Sequence, residues 1–286
     1  MDKKSKTIDR CQISGVQDLK TILSLGYLPP VNKLNKINSS LHEDVFYPAE
    51  LMFSPSSKLL QLSTIVDKKI LFPKEYPYTS STTKVLRENF KELYEECRKI
   101  ISISSKDLII DVGSNDGNLL NNFKNHHKVL GITPEKIGKT AIKKGINTLI
   151  KYFNKDTTNL VLKKFGRAKI VTATNVFAHI DDINSLMNNL LRVLINDGIF
   201  ISESHYLVSL IETNQYDTIY HEHLRYYSLT SLKYLFNKYD MEIIHAKRIN
   251  THGGSIRVYA ARKKRFKIRK SVTKILNFEK KFLNWK

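Results

Sequence analysis

Cysteine is scarce in this sequence, since Cys11 and Cys97 are the only two among 286 residues. Two cysteines so far apart in the chain do not indicate a disulfide framework. Long apolar runs are also missing, and no stretch approaches the roughly 20 apolar residues that cross a bilayer. The first ten residues, MDKKSKTIDR, lack the apolar stretch that follows the charges of a secretory signal. We therefore predict a cytoplasmic protein without a membrane partner.

Acidic residues are outnumbered, with 27 Asp and Glu against 47 Lys and Arg, which gives a formal net charge of +20. A positive charge of this size is typical of proteins that meet nucleic acid, acidic membrane surfaces or phosphate-bearing substrates. Residues 262–286 contain eleven Lys or Arg and one Glu, and they are interpreted as a solvated basic tail or the start of something larger. Because neither an arginine-aromatic RNA module nor zinc-finger spacing accompanies this segment, nucleic acid is not favoured as a partner.

Short apolar runs alternate with amphipathic stretches from about residue 106 onward, which is the rhythm of βα units. This alternation predicts an α/β fold with a mostly parallel sheet covered by helices on both faces. The last two runs are joined by a turn around Gly253 and Gly254 that is too short for a parallel crossover, so they must form an antiparallel hairpin. The predicted strands are DLIIDVG (107–113), KVLGIT (128–133), NTLIKYF (147–153), AKIVTATN (168–175), GIFISES (198–204), MEIIHAKRI (241–249) and SIRVYAAR (255–262).

The first part of the chain does not share this rhythm, because it contains loop-like stretches such as YLPPVNKLNKINSS and FSPSSK. STTKVLRENFKELYEECRKI (81–100) then predicts a long helix that leads into the sheet domain. PEKIGKTAIKK (134–144) and DINSLMNNLLRVL (182–194) predict two further helices. We therefore predict a small N-terminal domain (1–82), a sheet domain (83–262) and a basic C-terminal segment (263–286).

The stretch DVGSNDGNLL (111–120) follows the first predicted strand and precedes a predicted helical segment. A glycine-rich turn at this place indicates a ligand site, because open parallel sheets bind ligands at the carboxyl ends of their strands. Asn115 stands where a related loop has a middle glycine, and asparagine tolerates positive φ better than most residues. The candidate cofactor-binding residues are Asp111, Gly113, Ser114, Asn115, Asp116 and Gly117, with Thr133 and Asn175 at the ends of two later strands.

Three cofactors suit such a turn: a nucleoside triphosphate, NAD or S-adenosylmethionine. The sequence has no G-x-x-x-x-G-K-[ST] motif, so a P-loop is excluded. Asp111 precedes the first glycine, which is not a feature of pyrophosphate binding, whereas a carboxylate there can organise the loop around a cationic methionine group. The loop therefore favours S-adenosylmethionine.

Four stretches occur in one order along the chain: DVGSNDGNLL (111–120), TNVFAHIDD (174–182), NQYDTIYHEHLRYYSL (214–229) and THGGSIRVY (251–259). In this order they resemble the sugar C-methyltransferases of deoxysugar biosynthesis, over nearly the whole chain. The resemblance implies a class I methyltransferase fold that uses S-adenosylmethionine to methylate a carbon next to the ketone of a nucleotide-linked 4-keto-deoxysugar. Members of this family also carry an N-terminal zinc-binding domain and a further C-terminal domain.

Three departures from this family bear on function. The family's zinc site uses two Cys-x-x-Cys pairs, but here they read CQIS and SPSS, so we predict no zinc because one thiol remains among Cys11, Ser14, Ser54 and Ser57. Thr133 stands where such domains place an acid for the ribose hydroxyls, and we expect its loss to weaken cofactor binding by roughly 1.5 to 3 kcal/mol. Residues 263–286 would be the stub of the missing C-terminal domain.

Carbon methylation next to a ketone needs a base that removes a weakly acidic proton and a donor that stabilises the enolate. By resemblance, His223 in TIYHEHLRYYSL (218–229) is the base, and Tyr220 is the hydrogen-bond donor to the ketone oxygen or a relay. Glu222 contacts or orients the substrate, and His221 is the alternative base. The candidate substrate contacts elsewhere in the chain are His179, His252, Tyr76 and Tyr78.

Other interpretations stay open. A His-x-His pair also suits metal ligation or an exposed strand, although we predict no metal ligands here, and Tyr226 and Tyr227 are more typical of core packing. A nucleic acid methyltransferase is the second candidate function, but TNVFAH lacks the Asn/Asp-Pro-Pro-aromatic pattern that stacks a flipped adenine. The third candidate is a non-enzymatic remnant of a methyltransferase fold.

Overall fold

A computed structural model of the protein describes residues 4–32, 45–72 and 79–284. The N-terminal part contains β1 (Ser5–Thr7), β2 (Lys20–Leu28), β3 (Tyr47–Ser54), β4 (Leu59–Leu62), β5 (Thr64–Val66) and the short helix α1 (Lys68–Leu71). Strand β1 pairs with β5, and β3 lies between β2 and β4 in a second antiparallel sheet. These small sheets form the N-terminal domain.

Most of the remaining strands belong to one seven-stranded sheet, in the order β12-β13-β10-β9-β6-β7-β8. The strands after the N-terminal part are β6 (Leu108–Val112), β7 (Lys128–Thr133), β8 (Thr148–Ile150), β9 (Ala168–Thr174), β10 (Leu194–His205), β11 (Arg225–Tyr226), β12 (Met241–Ile249) and β13 (Ser255–Arg262). Neighbours from β10 to β8 are parallel, whereas β13 is antiparallel to both β10 and β12. The predicted fold, a mostly parallel class I methyltransferase-type sheet with an antiparallel C-terminal hairpin, is confirmed.

The sheet is flanked by α2 (Lys84–Ile100), α3 (Gly138–Lys143), α4 (Lys155–Lys164), α5 (Ile183–Val193), α6 (Leu207–Glu212), α7 (Leu229–Lys238) and α8 (Lys270–Phe282). Helices α2 and α5 lie within the predicted ranges. Each begins directly after a capping residue, since the side chains of Thr83 and Asp182 accept hydrogen bonds from backbone N–H groups of the first turn. The helix predicted from Pro134 begins only at Gly138, since the residues before it form turn hydrogen bonds such as Gly138 N to Glu135 O (3.2 Å).

The helical segment predicted after the glycine-rich loop is only a short 3₁₀ turn at Leu120–Asn122. The side-chain amide of Asn122 donates to the carbonyls of Asn118 and Leu119, both at 3.2 Å. Side-chain bonds of this kind compete with the backbone bonds that would extend a helix. The local asparagines therefore favour a compact turn over a helix here.

Both faces of the large sheet are buried. Along β6, Leu108, Ile110 and Val112 pack into one apolar core, whereas the intervening Ile109 packs into another. Successive side chains of a strand point to opposite faces, so this division means that both faces of the sheet are covered. In the part of the chain that the structure describes, no helix has the length and apolar character of a membrane span.

The histidine-rich stretch 218–229 connects the two parts of the molecule. Its strand β11 pairs with β4 of the N-terminal sheet, with Arg225 opposite Gln61. The buried guanidinium of Arg225 donates to the carbonyls of Ile180 (2.7 Å) and Asp181 (3.0 Å), which follow β9. The stretch is therefore fixed from both sides.

The described part of the basic segment, residues 263–284, is not a solvated tail, because it contains helix α8 and a fully buried carboxylate. Glu279 accepts hydrogen bonds from the backbone N–H groups of Leu229 (2.6 Å) and Thr230 (2.8 Å) and from the hydroxyl of Tyr206 (2.9 Å). These N–H groups belong to the first turn of α7, where a negative charge is stabilised by the helix dipole. One acid among many basic residues thus anchors the segment to the core.

We expect Glu279→Gln to lower the free energy of unfolding by roughly 1.5 to 3 kcal/mol, the usual contribution of a hydrogen bond to a charged group. The amide keeps the shape of the side chain but loses the charge at the start of α7. Urea denaturation of the variant measures the effect, and Lys280→Gln, which changes the exposed neighbour on the same helix, is the control. Equal stability of the two variants would show that the buried carboxylate has no anchoring role.

Candidate active site

A cavity of about 890 Å³ lies at the carboxyl ends of the parallel strands. This is the edge at which open parallel sheets bind ligands. Loops after β6, β7 and β9 form one wall, and the histidine-rich stretch and the N-terminal domain form others. The candidate site residues that line it are Asp111, Gly113, Ser114, Asn115, Asn175, His179, Tyr220, Glu222, His223 and His252. Two motifs that are about a hundred residues apart in the sequence thus share one cavity.

The glycine-rich loop has the backbone that its sequence predicts. Gly113 and Gly117 both have φ of 79°, and Asn115 has φ of 49°, so asparagine does occupy a left-handed position. A Cβ atom added to Gly113 would lie 2.9 Å from Cβ of Val176, which is closer than any side chain allows. The glycine therefore lets the loop after β6 pack directly against the loop after β9.

Asp111 is the acid at the end of β6, and its carboxylate accepts a hydrogen bond from Thr172 Oγ1 (2.6 Å). Burial raises the pKa of Asp111 to about 7, and the nearby Glu203 carboxylate also raises it. A cationic ligand group in the cavity would favour the ionised carboxylate and lower this pKa. Asp111 is therefore suited to respond to a positively charged cofactor.

Two buried polar atoms at the cavity have no hydrogen-bond partner among the described residues. They are Ser114 Oγ, in the glycine-rich loop, and Asn175 Oδ1, just after β9. Buried polar side-chain atoms are nearly always paired in folded proteins, so each unpaired atom needs an explanation. The loops after β6 and β9 therefore hold two polar atoms whose hydrogen bonds are not made within the described residues.

Three candidate cofactor-binding residues support the cavity without lining it. The Asp116 carboxylate accepts hydrogen bonds from Ser80 Oγ (2.7 Å) and Lys144 Nζ (2.8 Å), which fix the loop. A Cβ atom on Gly117 would lie 2.6 Å from Ile146 Cδ1, so this glycine serves packing. The Thr133 hydroxyl donates to the Glu135 carboxylate. Direct cofactor contact of these three residues stays a prediction, and the contacts above give each of them a supporting role in the loop or the turn.

His223 is buried, and its Nδ1 lies 2.7 Å from the carbonyl oxygen of Thr218. A carbonyl oxygen can only accept, so Nδ1 carries the proton and Nε2 of the neutral ring keeps its lone pair. Burial lowers the pKa of His223 to about 3, and the neighbouring His179 lowers it further, while the bond to Thr218 opposes this. The ring is therefore neutral at physiological pH, with one nitrogen able to accept a proton.

Tyr220 lies against His223, with 4.1 Å between the ring centroids. Burial raises the pKa of Tyr220, and the charge of Glu222 raises it further, so the phenol stays protonated and can donate a hydrogen bond. Glu222 is buried and accepts a hydrogen bond from Asn32 Nδ2 (2.6 Å) of the N-terminal domain. A proton acceptor and a proton donor therefore stand side by side at the cavity.

The structure adds a residue that the sequence analysis missed. His205 ends β10, and its ring centroid lies 4.4 Å from that of His223 and 6.1 Å from that of His252. The ring of His179 also lies near His223, at 5.0 Å between centroids. Burial lowers the pKa values of His179 and His205 to about 3, so these rings are neutral too. The position of His205 at the carboxyl end of a predicted parallel strand was the signal that could have found it.

His221, the alternative base, does not line the cavity. Its Nε2 lies 3.0 Å from the carbonyl oxygen of Pro48, and its ring meets Tyr47 edge-on, so it faces the N-terminal sheet. Tyr227 stacks on Phe177 in the core, with 5.5 Å between centroids, which agrees with its predicted packing role. The predicted substrate contacts Tyr76 and Tyr78 lie outside the described residues.

Residues of the N-terminal domain complete the cavity. Lys68 and Lys69 of α1 and Asn32 line it together with residues of the glycine-rich loop. Lys68 Nζ lies 3.7 Å from Asp181 Oδ2 and 5.1 Å from the ring centroid of Tyr152. The local sequence around these residues carries no recognisable motif, so only the packing of the two domains identifies them. They place two ammonium groups at the N-terminal side of the cavity, one of them beside Asp181.

The positions of the family's zinc ligands do come together, but their chemistry does not fit zinc. Cys11 Sγ lies 3.1 Å from Ser57 Oγ, and Ser54 Oγ donates to Asp18 Oδ1 (2.8 Å). Burial alone would raise the pKa of the Cys11 thiol, but hydrogen bonds from Ser14 and Ser57 outweigh it and lower the pKa. Structural zinc sites need four thiolate or imidazole ligands, and here one thiol meets serine hydroxyls. Hydrogen bonds hold this part of the domain together.

Comparison with known protein families identifies the domains. A model described as a methyltransferase domain matches residues 83–246, which is more than half of the chain. The chain belongs to this methyltransferase family. A second model, described as a putative zinc binding domain, matches residues 11–72, the region in which the thiols have been replaced.

One relative, also a methyltransferase by name, agrees with this family. The chain is 30% identical over 258 residues to the C-methyltransferase NovU of Streptomyces niveus, an alignment that covers 90% of this chain and 61% of NovU. Similar solved structures include magnesium protoporphyrin IX methyltransferase of Synechocystis PCC 6803 with bound S-adenosylmethionine (TM-score 0.46, 11% identity, 62% of this chain and 79% of that one). Another is a putative methyltransferase complexed with the Trm112 activator of Haloferax volcanii (TM-score 0.49, 12% identity, 61% of this chain and 91% of that one).

Proposed function

We propose that this methyltransferase uses S-adenosylmethionine to methylate a carbon next to the ketone of a nucleotide-linked keto-deoxysugar. The observation that carries the proposal is the neutral imidazole of His223 beside the protonated phenol of Tyr220, in the cavity formed by the glycine-rich loop. The name of NovU, a C-methyltransferase, supports carbon as the methyl acceptor.

In the proposed reaction, Nε2 of His223 removes the proton from the carbon next to the ketone. The electrons of the broken C–H bond form an enolate, and the hydroxyl of Tyr220 donates a hydrogen bond to its oxygen. A positioned base of this kind contributes about 10²- to 10⁴-fold to the rate, and a donor to the oxyanion about 2.7 to 4 kcal/mol. When bound, S-adenosylmethionine would supply the methyl group that the enolate carbon receives; its S–CH₃ bond would break, the electron pair would return to sulfur, and S-adenosylhomocysteine would leave. His223 then holds the abstracted proton and returns it to solvent.

Two lysines of α1 support an anionic substrate on one side of the cavity, whose wall also carries the carboxylates of Asp111, Glu135, Asp181, Asp182 and Glu222. Lys68 and Lys69 lie on the N-terminal side, where the diphosphate of a nucleotide-linked sugar would balance their positive charge. A negative charge near His223 also raises the pKa of its ring, because it favours the protonated form. Substrate binding therefore makes His223 a stronger base than burial alone allows.

Calorimetry with S-adenosylhomocysteine and a proton-exchange assay together test this function. We expect the protein to bind S-adenosylhomocysteine and to catalyse exchange of the proton next to the ketone of a nucleotide-linked 4-keto-6-deoxysugar in D₂O. NMR measures this exchange separately from methyl transfer. The matched control is the corresponding 4-hydroxy sugar nucleotide, which cannot form an enolate and should show no exchange. Absence of binding at millimolar S-adenosylhomocysteine would instead indicate a non-enzymatic remnant.

A further inference from the structure

The turn after β7 carries a carboxylate that lines the cavity. Thr133, the last residue of β7, is almost completely buried, and its hydroxyl donates a hydrogen bond to Oε2 of Glu135. Glu135 itself lines the cavity together with residues of the glycine-rich loop. A Cβ atom on Gly138 would lie 2.8 Å from Thr133 Cγ2, so the turn packs closely on this threonine. The direction of the carboxylate is therefore determined by Thr133.

The position of this carboxylate relative to the glycine-rich loop is defined by the sheet. Strand β7 pairs with β6, and the backbone N–H groups of Gly113 and Ser114 both donate to the carbonyl of Ile132, at 2.8 and 3.2 Å. Glu135 thus follows the strand next to the loop, 22 residues after Gly113. In dinucleotide-binding parallel sheets an acid about 20 residues beyond the glycine turn accepts a hydrogen bond from a ribose hydroxyl, and an adenosyl cofactor carries the same ribose hydroxyls.

We propose that Glu135 binds the ribose hydroxyls of the adenosyl cofactor and that Thr133 is its positioning residue. Thr133 occupies one lone pair of Oε2, which leaves Oε1 and the remaining lone pair of Oε2 to accept from the two neighbouring hydroxyls. The acid that is missing at the end of β7 is thereby supplied two residues later. The inference rests on the proposed use of S-adenosylmethionine but adds which group recognises the ribose.

The test compares two ligands and two variants by calorimetry on the full chain. The ligands are S-adenosylhomocysteine and its 2′,3′-dideoxyribose analogue, and the variants are Glu135→Gln and Thr133→Val. We expect Glu135→Gln to weaken binding of S-adenosylhomocysteine by about 10- to 100-fold, as loss of hydrogen bonds to a charged group does. The same substitution should change the affinity for the dideoxy analogue by less than about 3-fold, because that ligand has no hydroxyls to lose.

Thr133→Val should weaken binding of S-adenosylhomocysteine less than Glu135→Gln does, since it frees the carboxylate without removing it. Its affinity for the dideoxy analogue should again change little. Glu88→Gln, on the exposed face of α2, is the matched control and should bind both ligands normally. If Glu135→Gln loses equal affinity for the two ligands, or loses affinity for neither, the assignment of Glu135 is overturned. Failure of the unsubstituted protein to bind S-adenosylhomocysteine would contradict the proposed function instead, so the two failures are distinguishable.

Discussion

Replacing His223 by asparagine should lower kcat for methylation of the keto-sugar nucleotide by about 10²- to 10⁴-fold, the contribution of a positioned base. Asparagine can keep the hydrogen bond to the Thr218 carbonyl through its side-chain amide, but it has no nitrogen that accepts a proton. Affinity for S-adenosylhomocysteine should stay unchanged, because His223 is not part of the glycine-rich loop. Steady-state kinetics and calorimetry measure the two effects.

His221→Gln is the matched control for this substitution. His221 lies two residues earlier but bonds the Pro48 carbonyl, and the amide of glutamine can replace that contact. We expect this variant to keep kcat within about 3-fold of the unsubstituted protein, since it changes neither the base nor the donor. The rate contribution of about 10²- to 10⁴-fold comes from the base alone. If His221→Gln abolishes proton exchange while His223→Asn retains it, the assignment of the base is wrong.

The pH dependence gives a second check on His223. Burial lowers its pKa to about 3, so the ring is neutral and active above that value in the free protein. The acid limb of kcat/KM, which reports the free enzyme, should therefore lie well below the ordinary histidine value of about 6.5. An anionic substrate raises the pKa, so the acid limb of kcat should lie at higher pH than that of kcat/KM. If the acid limbs of kcat and kcat/KM both lie near pH 6.5, the assignment of a buried neutral base is contradicted.

The second large expected effect is on the stability of the fold, and it follows from the contacts of Arg257. Its guanidinium is completely buried and donates from Nε to Glu203 Oε1 (2.5 Å), from Nη1 to Glu96 Oε2 (3.1 Å) and from Nη2 to Asn89 Oδ1 (2.7 Å). These partners join α2 to β10 and β13. The backbone carbonyl of Glu203 also accepts from Asn175 N (2.8 Å), so the network reaches the cavity. One arginine thus supports both the domain and the site.

Arg257→Met should lower the free energy of unfolding by about 3 to 5 kcal/mol, because removing one partner leaves buried carboxylates without their cation. The double variant Arg257→Met with Glu203→Gln should recover part of this loss, since it also removes one unpaired charge. Lys263→Met, whose exposed ion pair with Asp240 contributes about 0 to 1 kcal/mol, is the control. Urea denaturation measures all three. A loss below about 1 kcal/mol for Arg257→Met would contradict the buried-network role.

The sequence by itself determined the sheet and the loop. Apolar strands separated by amphipathic helices permit few arrangements, and the hairpin turn at Gly253 and Gly254 is too short to be anything but antiparallel. Asn115 and the glycines required a left-handed backbone, and the structure has one. Patterns of this kind are local, because they depend on side-chain spacing and backbone conformation within about ten residues.

Only the tertiary structure decided which residues share the site. Lys68 has no motif of its own and reaches the cavity because the N-terminal domain packs there against the ends of the strands. His221 and His223 are neighbours in sequence, yet one bonds the N-terminal sheet and the other faces the cavity. The buried Glu279 likewise anchors helix α8 of the basic segment to the start of α7. These outcomes depend on contacts between residues far apart in the chain, and the sequence pattern around each residue does not contain them.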